Sequence, residues 1–494
     1  MRRRALHAPL PRRERLRQPV GLLRRPVPAD RSHPRCRTAG RGGAAEGGVV
    51  TLQGHRLPRP VLDELAVGRG GPDAIGSLRT AQHSKNLLLV RALVTLLHRT
   101  DHPDRAVVEA AYRTLGRLPA DHRRAAVSHP PVAAWAFGTA SLLRRGEPAA
   151  TYPGLLAAVA VAAAVRAGVD ADLDVPLDVA TPGRLDLPGL GTVVVPAHAS
   201  RARVRSADGR AEVWCARERV EIGPGRPAPD ARWRPTPQLR VAHDGLSLTL
   251  LLDIPTWRHV PRTVETGSHQ VSGEVGDPRR WRHRLDGAWR LLTRGHRPVA
   301  EELSAALGVL VPLTEPPAGI RSGTFHHGFG SVAMSIPPDD RLAAVTLAHE
   351  IQHLKLAALT DLFALVGPGP EELFYAPWRP DPRPLDGLLH GAYAHLGVAR
   401  FWRRERRRER DPAARHHAEV EFGRWVRAAG DTVRVLAAQP RLTPVGRHVV
   451  RGMAGVLQRW RAEPVPPEAA AEADRLLGAH RSRWERARAG ARPG

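Results

Sequence analysis

Residues 337–366 read PPDDRLAAVTLAHEIQHLKLAALTDLFALV and hold both the clearest helix and the clearest chemistry in the chain. Pro337-Pro338 followed by Asp339-Asp340 is a helix start, with a carboxylate placed to cap the orphan N–H groups of a first turn. From Arg341 to Val366 there is no Gly or Pro, and apolar residues recur at helical spacing through Leu342, Val345, Ile351, Leu354 and Ala358. That period predicts a long, mostly buried helix. His349 and His353, four apart, then share one face a turn from each other, so both imidazoles can reach a single divalent metal with Glu350 beside it. Burying two imidazoles and a carboxylate without partners is costly, which favours a ligand role.

Two histidines leave a metal under-coordinated, so the chemistry rests on a third ligand. A metzincin continuation needs Gly at 356 and His at 359, where this chain has Leu356 and Leu359, and that class is excluded. A gluzincin reading would use Glu371 or Glu372, which lead into a Pro-rich loop. The other candidates are His390 and His395, five apart on a predicted helix, where they point about 140° apart so that one at most is expected at the metal. His390 leads because Gly387 and Gly391 would let its helix approach a neighbour closely, with His395 as the alternative. Between lies Tyr375-Ala376-Pro377-Trp378-Arg379-Pro380-Asp381-Pro382-Arg383-Pro384, in which proline pre-sets the backbone and so directs Arg379 and Arg383. A rigidly held arginine can grip a carboxylate with two hydrogen bonds, as 2-oxoglutarate or an acidic side chain would require; structural ion pairing is the competing use.

The chain has 494 residues, room for two or three domains and a sizeable core, so no metal is needed for folding alone. Two cysteines, Cys36 and Cys215, make neither a disulfide framework nor a thiolate zinc site, and the expected compartment is the cytoplasm. Of the 75 basic residues only Lys85 and Lys355 are lysines, which together with abundant Ala, Pro and Gly fits a GC-rich coding sequence. The net charge of +26 raises nucleic acid as a partner, but 13 arginines against three carboxylates fall in residues 1–48. That opening segment has no periodicity, and is expected to be disordered or a spurious extension with the true start near Val49 or Val50. The longest apolar stretch, Leu155 to Val165, is too short to span a membrane and predicts a buried Ala-rich helix.

Helical spacing dominates residues 49–168, in Val61 to Leu65, Ala74 to His98, Arg105 to Leu118 and Val132 to Leu143. Residues 169–262 turn β-prone, with Thr192 to Val195 and the alternation Leu246, Leu248, Leu250, Leu252, while Gly223 to Pro237 reads as a proline-rich loop. Residues 263–494 return to helices: Arg279 to Leu292, Val299 to Leu307, the motif helix, Leu385 to Arg410 and two or three more through Trp484. The stretch 322–335, containing Phe325-His326-His327-Gly328, is expected to line the site as an edge strand. The mixed charges of Arg403 to Arg410 are expected to form a solvated helix end. The predicted fold is therefore α+β, mostly helical, with a small central antiparallel sheet and the metal motif on a long buried helix.

Phe329-Gly330-Ser331-Val332-Ala333-Met334-Ser335, then His349-Glu350-Ile351-Gln352-His353 with Lys355-Leu356, then Tyr375 to Pro384, then the glycine-rich segment ending Phe401-Trp402-Arg403 resemble the HExxH-type peptide β-hydroxylases. The likeness extends from about Leu57 to Trp484 and includes Leu442-Thr443-Pro444-Val445-Gly446-Arg447. It implies Fe(II) and 2-oxoglutarate, with hydroxylation at a β-carbon of a ribosomally made precursor peptide. His349 and His353 would then be iron ligands, and Arg379 or Arg383 would hold the cosubstrate. Glu350 would ligate, position water or support the ligands. Where such proteins carry an acidic-Pro-Tyr-Arg stretch, this chain has Asp253-Ile254-Pro255-Thr256-Trp257-Arg258, so substrate recognition there is expected to differ. Two other readings stand beside it: a zinc metallopeptidase with Glu350 as general base on a metal-bound water, and a basic nucleic-acid-binding protein.

Overall fold

A computed structural model describes residues 54–148, 151–223, 232–254, 276–317 and 319–489. The expected N-terminal extension, Cys36, most of the proline-rich segment 223–237 and positions 255–258 lie outside the described residues.

Prolines in the first turn start several of the early helices, where the missing N–H has no intrahelical acceptor to lose. α1 (Arg59–Ala66) and α2 (Gly71–Leu97) begin this way, followed by α3 (Arg105–Arg117), α4 (Ala120–Ser128), α5 (Pro130–Arg144) and α6 (Leu155–Ala167). Every residue of α6 from Leu155 to Val165 is buried, and the helix stops on Gly168 in the left-handed region.

The strands β1 (Ala171–Pro176), β2 (Arg184–Leu187), β3 (Gly191–Val194), β4 (Arg201–Ala207), β5 (Arg210–Cys215), β6 (Glu218–Ile222) and β7 (Trp233–Pro235) form two antiparallel sheets, β1-β4-β5-β6 and β2-β3-β7. β8 (Gln238–His243) and β9 (Leu246–Leu252) make a hairpin whose Asp244-Gly245 turn has both φ angles positive, as a two-residue turn of matching twist requires. α7 (Pro278–Gly295) and α8 (Arg297–Ala306) then cross over to β10 (Val309–Pro312), which runs parallel to β9. With β11 (Ser322–Gly323) and β12 (Ser331–Met334) this completes a mixed sheet, β11-β12-β10-β9-β8.

The α+β, mostly helical architecture is the one expected. The β portion is larger than a single antiparallel sheet, because β10 and β12 are four-residue strands buried at every position and so carry no alternation for a sequence pattern to register.

β12 leads through Pro337-Pro338 into α9 (Asp340–Leu362), whose first turn is capped by the Asp339 carboxylate accepting from the Leu342 N–H at 2.7 Å. The helix ends at Leu362, short of Val366, because Phe363 turns extended and Val366 bridges to Leu442. β13 (Leu373–Phe374) and β14 (Arg383–Pro384) pair, so the Pro-rich segment is a closed hairpin loop. α10 (Leu385–Arg408), α11 (Pro412–Ala437), α12 (Pro444–Arg461) and α13 (Pro467–Ala489) complete the chain. The Leu442 to Arg447 motif docks α12 onto the end of α9: Thr443 donates from its N–H to Leu365 O and from its hydroxyl to Ala364 O, and its Oγ1 accepts from Gly446 N–H.

Among the described residues, beside two small clusters, two large apolar cores form. One gathers α1, the start of α2, the mixed sheet and α7 to α12; the other gathers the end of α2, α3 to α6 and the two antiparallel sheets. α2 serves both, giving Ala74, Ile75 and Leu78 to the first and Val90, Leu93 and Leu97 to the second.

The end of α10 is solvated as expected at Arg404, Arg407, Arg408 and Arg410, but not at Glu405 and Arg406. Glu405 is buried and pairs with His296 at 2.9 Å, while Arg406, 5% exposed, reaches Glu419 and Glu463. Arg403 and Arg407 join Glu463 too. α11 and the turn between α12 and α13 fold back over this segment, and mixed charges under that cover become internal ion pairs.

Candidate metal centre

α9 is buried along almost its whole length, and its two motif histidines meet as helical geometry dictates. The Nε2 atoms of His349 and His353 are 3.0 Å apart, with ring centres at 4.6 Å and planes nearly perpendicular. Two nitrogens each about 2.1 Å from one cation and at right angles about it would be separated by about 3 Å. The pair therefore has the spacing of adjacent ligands on a single ion. His353 is buried, whereas the His349 side chain is 22% exposed and marks the open side.

α10 runs antiparallel against α9, close enough that a Cβ on Gly397 would meet the Ala348 carbonyl oxygen at 2.9 Å. This brings both α10 histidines to the motif, one to each partner, where one alone was expected. His395 lies 5.0 Å from His349 between ring centres and nearly perpendicular to it; His390 lies 6.3 Å from His353. The His395 ring is packed between Trp378 and Trp425, each at 4.5 Å, and its Nδ1 is 2.8 Å from Gly391 O. Donation from Nδ1 to a carbonyl fixes the tautomer whose Nε2 carries the lone pair, the usual arrangement behind a metal-binding imidazole. Gly387 and Gly391 do not face α9: a Cβ at Gly387 would meet the Arg383 guanidinium, and one at Gly391 would overlap the Trp378 ring. The close helix approach belongs to Gly397.

Glu350 is buried, and its Oε2 accepts from the Thr324 hydroxyl at 2.6 Å; its Oε1 is 3.9 Å from His349 Nε2. Thr324 follows β11, the edge strand of the mixed sheet, so the stretch expected to line the site does so through this contact. Arg379 pairs with Asp381 at 3.1 Å, and the buried Arg383 has its Nη1 3.8 Å from the same carboxylate. Glu371 and Glu372 are exposed, unlike the buried carboxylate a gluzincin ligand would be.

Three more residues gather near the site: His326 and His327 lie in the stretch expected to line it, though not as ligands, and Asp361 was not named from the sequence. His326 and His327, in the turn after β11, come together with Asp361 on α9. Asp361 is eight residues past His353 on α9, about two turns along and about 80° around the helix. Gln82 and Lys85 of α2 both donate to Asp361 Oδ2 at 2.8 Å. Burial would raise the Asp361 carboxyl, but the Lys85 ammonium and the His326 imidazole outweigh it and hold the group well below the usual carboxylate range. His327 stacks on Phe137 at 3.4 Å, and burial, with His326 and Lys85 adding to it, lowers its imidazole to about 2.

No family model and no curated protein matches this chain. Among the described residues, no helix is long and apolar enough to cross a membrane.

Proposed function

We propose that this chain is a metal-dependent oxygenase that uses Fe(II) and 2-oxoglutarate to hydroxylate a β-carbon of a ribosomally made peptide. The observation that carries the reading is the gathering of His349, His353 and His395 on two antiparallel helices, with the first two at the spacing of adjacent ligands. His349 and His353 would hold the ion, with His395 best placed as third nitrogen donor and His390 next to it. Fe(II), when bound, would supply dioxygen activation coupled to oxidation of the 2-oxo acid. Trp378 and Trp425 hold the His395 ring plane and keep water from that side. Arg379 and Arg383 stand on the loop that carries Trp378, and one of them would take the carboxylate of the cosubstrate in place of its contact with Asp381. The sequence likeness to the HExxH-type peptide β-hydroxylases supports the same chemistry, and a cytoplasmic enzyme fits it.

A second reading, a zinc peptidase, is favoured by one contact: Glu350 Oε1 lies 3.9 Å from His349 Nε2, where a carboxylate could take a proton from a metal-bound water. The test is anaerobic reconstitution with Fe(II), followed by 2-oxoglutarate, air and a peptide encoded beside the gene. A mass gain of one oxygen with stoichiometric succinate, lost in His353→Ala, is expected. Cleavage of the peptide with Zn(II) and no cosubstrate would overturn the oxygenase reading in favour of the peptidase.

A further inference from the structure

The turn after β11 brings two imidazoles and one carboxylate together away from the motif pair. One candidate ligand atom from each of His326, His327 and Asp361 lies within 4.8 Å of the others. Ligands about 2.1 Å from a shared cation sit roughly 3 to 4 Å apart, so the group needs to tighten by about an ångström. Two further facts separate it from an ordinary surface ion pair. The Nδ1 atom of His327 is buried and has no hydrogen-bond partner among the described residues, a position at which a neutral imidazole retains an unused polar atom. Lys85 and Gln82 both take Asp361 Oδ2, which leaves Oδ1 on the His326 side, 3.7 Å from Nε2. The carboxylate is thus fixed from behind in the orientation a ligand needs, as outer-sphere hydrogen bonds do at metal sites.

We propose that His326, His327 and Asp361 form a second binding site for a divalent transition-metal ion, separate from the one at His349 and His353. Two imidazoles and a carboxylate suit Fe(II), Zn(II), Co(II) or Mn(II) better than Ca(II), which takes oxygen ligands. The two sites are not a bridged pair. Eight residues of helix, about 12 Å, separate Asp361 from His353, whereas bridged ions stand about 4 Å apart. His390 stands between them, 6.2 Å from His326 and 6.3 Å from His353. The second ion joins the turn carrying His326 and His327 to α9, and that turn is adjacent to Thr324, the residue holding Glu350. Its role is to clamp one wall of the motif site.

The test uses the full chain, stripped of metal and titrated with Co(II), read by calorimetry and direct metal analysis. Two ions per chain are expected for the unmodified protein and one for His349→Ala/His353→Ala. In that double variant, adding His326→Ala/His327→Ala should weaken the remaining ion at least a hundredfold, and Asp361→Asn, which keeps the side-chain shape, at least tenfold, with far-UV circular dichroism unchanged. If the unmodified protein takes one ion and the motif double variant takes none, the proposal is overturned. Co(II) affinity indifferent to His326→Ala/His327→Ala and to Asp361→Asn overturns it as well. One ion that survives loss of the motif histidines but not of His326 and His327 would support it while removing the motif as a metal centre.

Discussion

The two cores of this molecule are built on opposite terms. Around α6 the interior is nearly all Leu, Val and Ala, with Trp135 and Trp233 buried among them and few buried polar groups. Around α9 and α10 the interior holds Lys355, Glu302, Glu350, His353, His395, His296, Glu405 and Arg406 as well. An apolar core tolerates interchange of similar volumes, whereas each buried polar group demands one partner in one geometry. The polar core contains the motif histidines, so the demand for matched partners and the placement of reactive groups coincide.

Lys355 shows the contrast most sharply. It is wholly buried, with its ammonium 2.7 Å from Glu302 and 3.2 Å from the carbonyl of Gly68, the turn before α2. Lys355→Met takes the ammonium from the buried Glu302 carboxylate, which keeps only the Gly71 N–H as a direct donor among the described residues, and should lower unfolding stability by about 3 to 5 kcal/mol in urea titrations. The double variant Lys355→Met/Glu302→Met should recover part of that loss. A Lys355→Met cost below about 1 kcal/mol would break the comparison, because the polar core would then behave like the apolar one.

In the apolar core the matching change is Leu156→Ala at a fully buried position of α6, expected to cost about 2 to 5 kcal/mol, with Leu156→Met costing less than about 1.5. Chemical denaturation of both variants measures the tolerance directly. Gly397→Ala should cost about 1 to 3 kcal/mol, since the new methyl meets a backbone oxygen that cannot swing aside. It should also separate His395 from His349 and weaken Co(II) binding in a metal titration.

The smallest expected effect is a pH dependence. Burial lowers the His296 imidazole below its ordinary value even though Glu405 pulls the other way. The unfolded chain takes up a proton near pH 6.5, at about the ordinary imidazole value, while the buried ring stays neutral to lower pH. Its contribution is complete above about pH 6.5 and is lost progressively below it. Thermal unfolding of His296→Gln should therefore fall off less steeply than that of the unmodified chain between about pH 6.5 and pH 5.

Much of the helical framework was legible. The spans around Arg105, Leu155 and Arg279 follow from local spacing and from proline and glycine at their ends, and α9 with its capping Asp339 was the clearest of all. The mixed sheet was not, because strands buried on both faces look like any short apolar run. In the Arg403 to Arg410 segment the exposed arginines were foreseen and the burial of Glu405 and Arg406 was not, because a charge pattern says nothing about which helices will later cover it. At the candidate site the two motif histidines were readable as a pair and the His326-His327 stretch as a site-lining segment, whereas its meeting with Asp361 and the role of Gly397 were not.

By itself the chain's sequence determined a long capped helix that carries His349 and His353 one turn apart, since four residues of α-helix fix that relation through the backbone alone. Only the tertiary structure decided that His395 reaches His349, that His390 stands between two histidine clusters, and that Asp361 meets a turn more than thirty residues earlier. Those meetings depend on how closely helices cross and in what register, which packing between distant segments sets and no local period encodes.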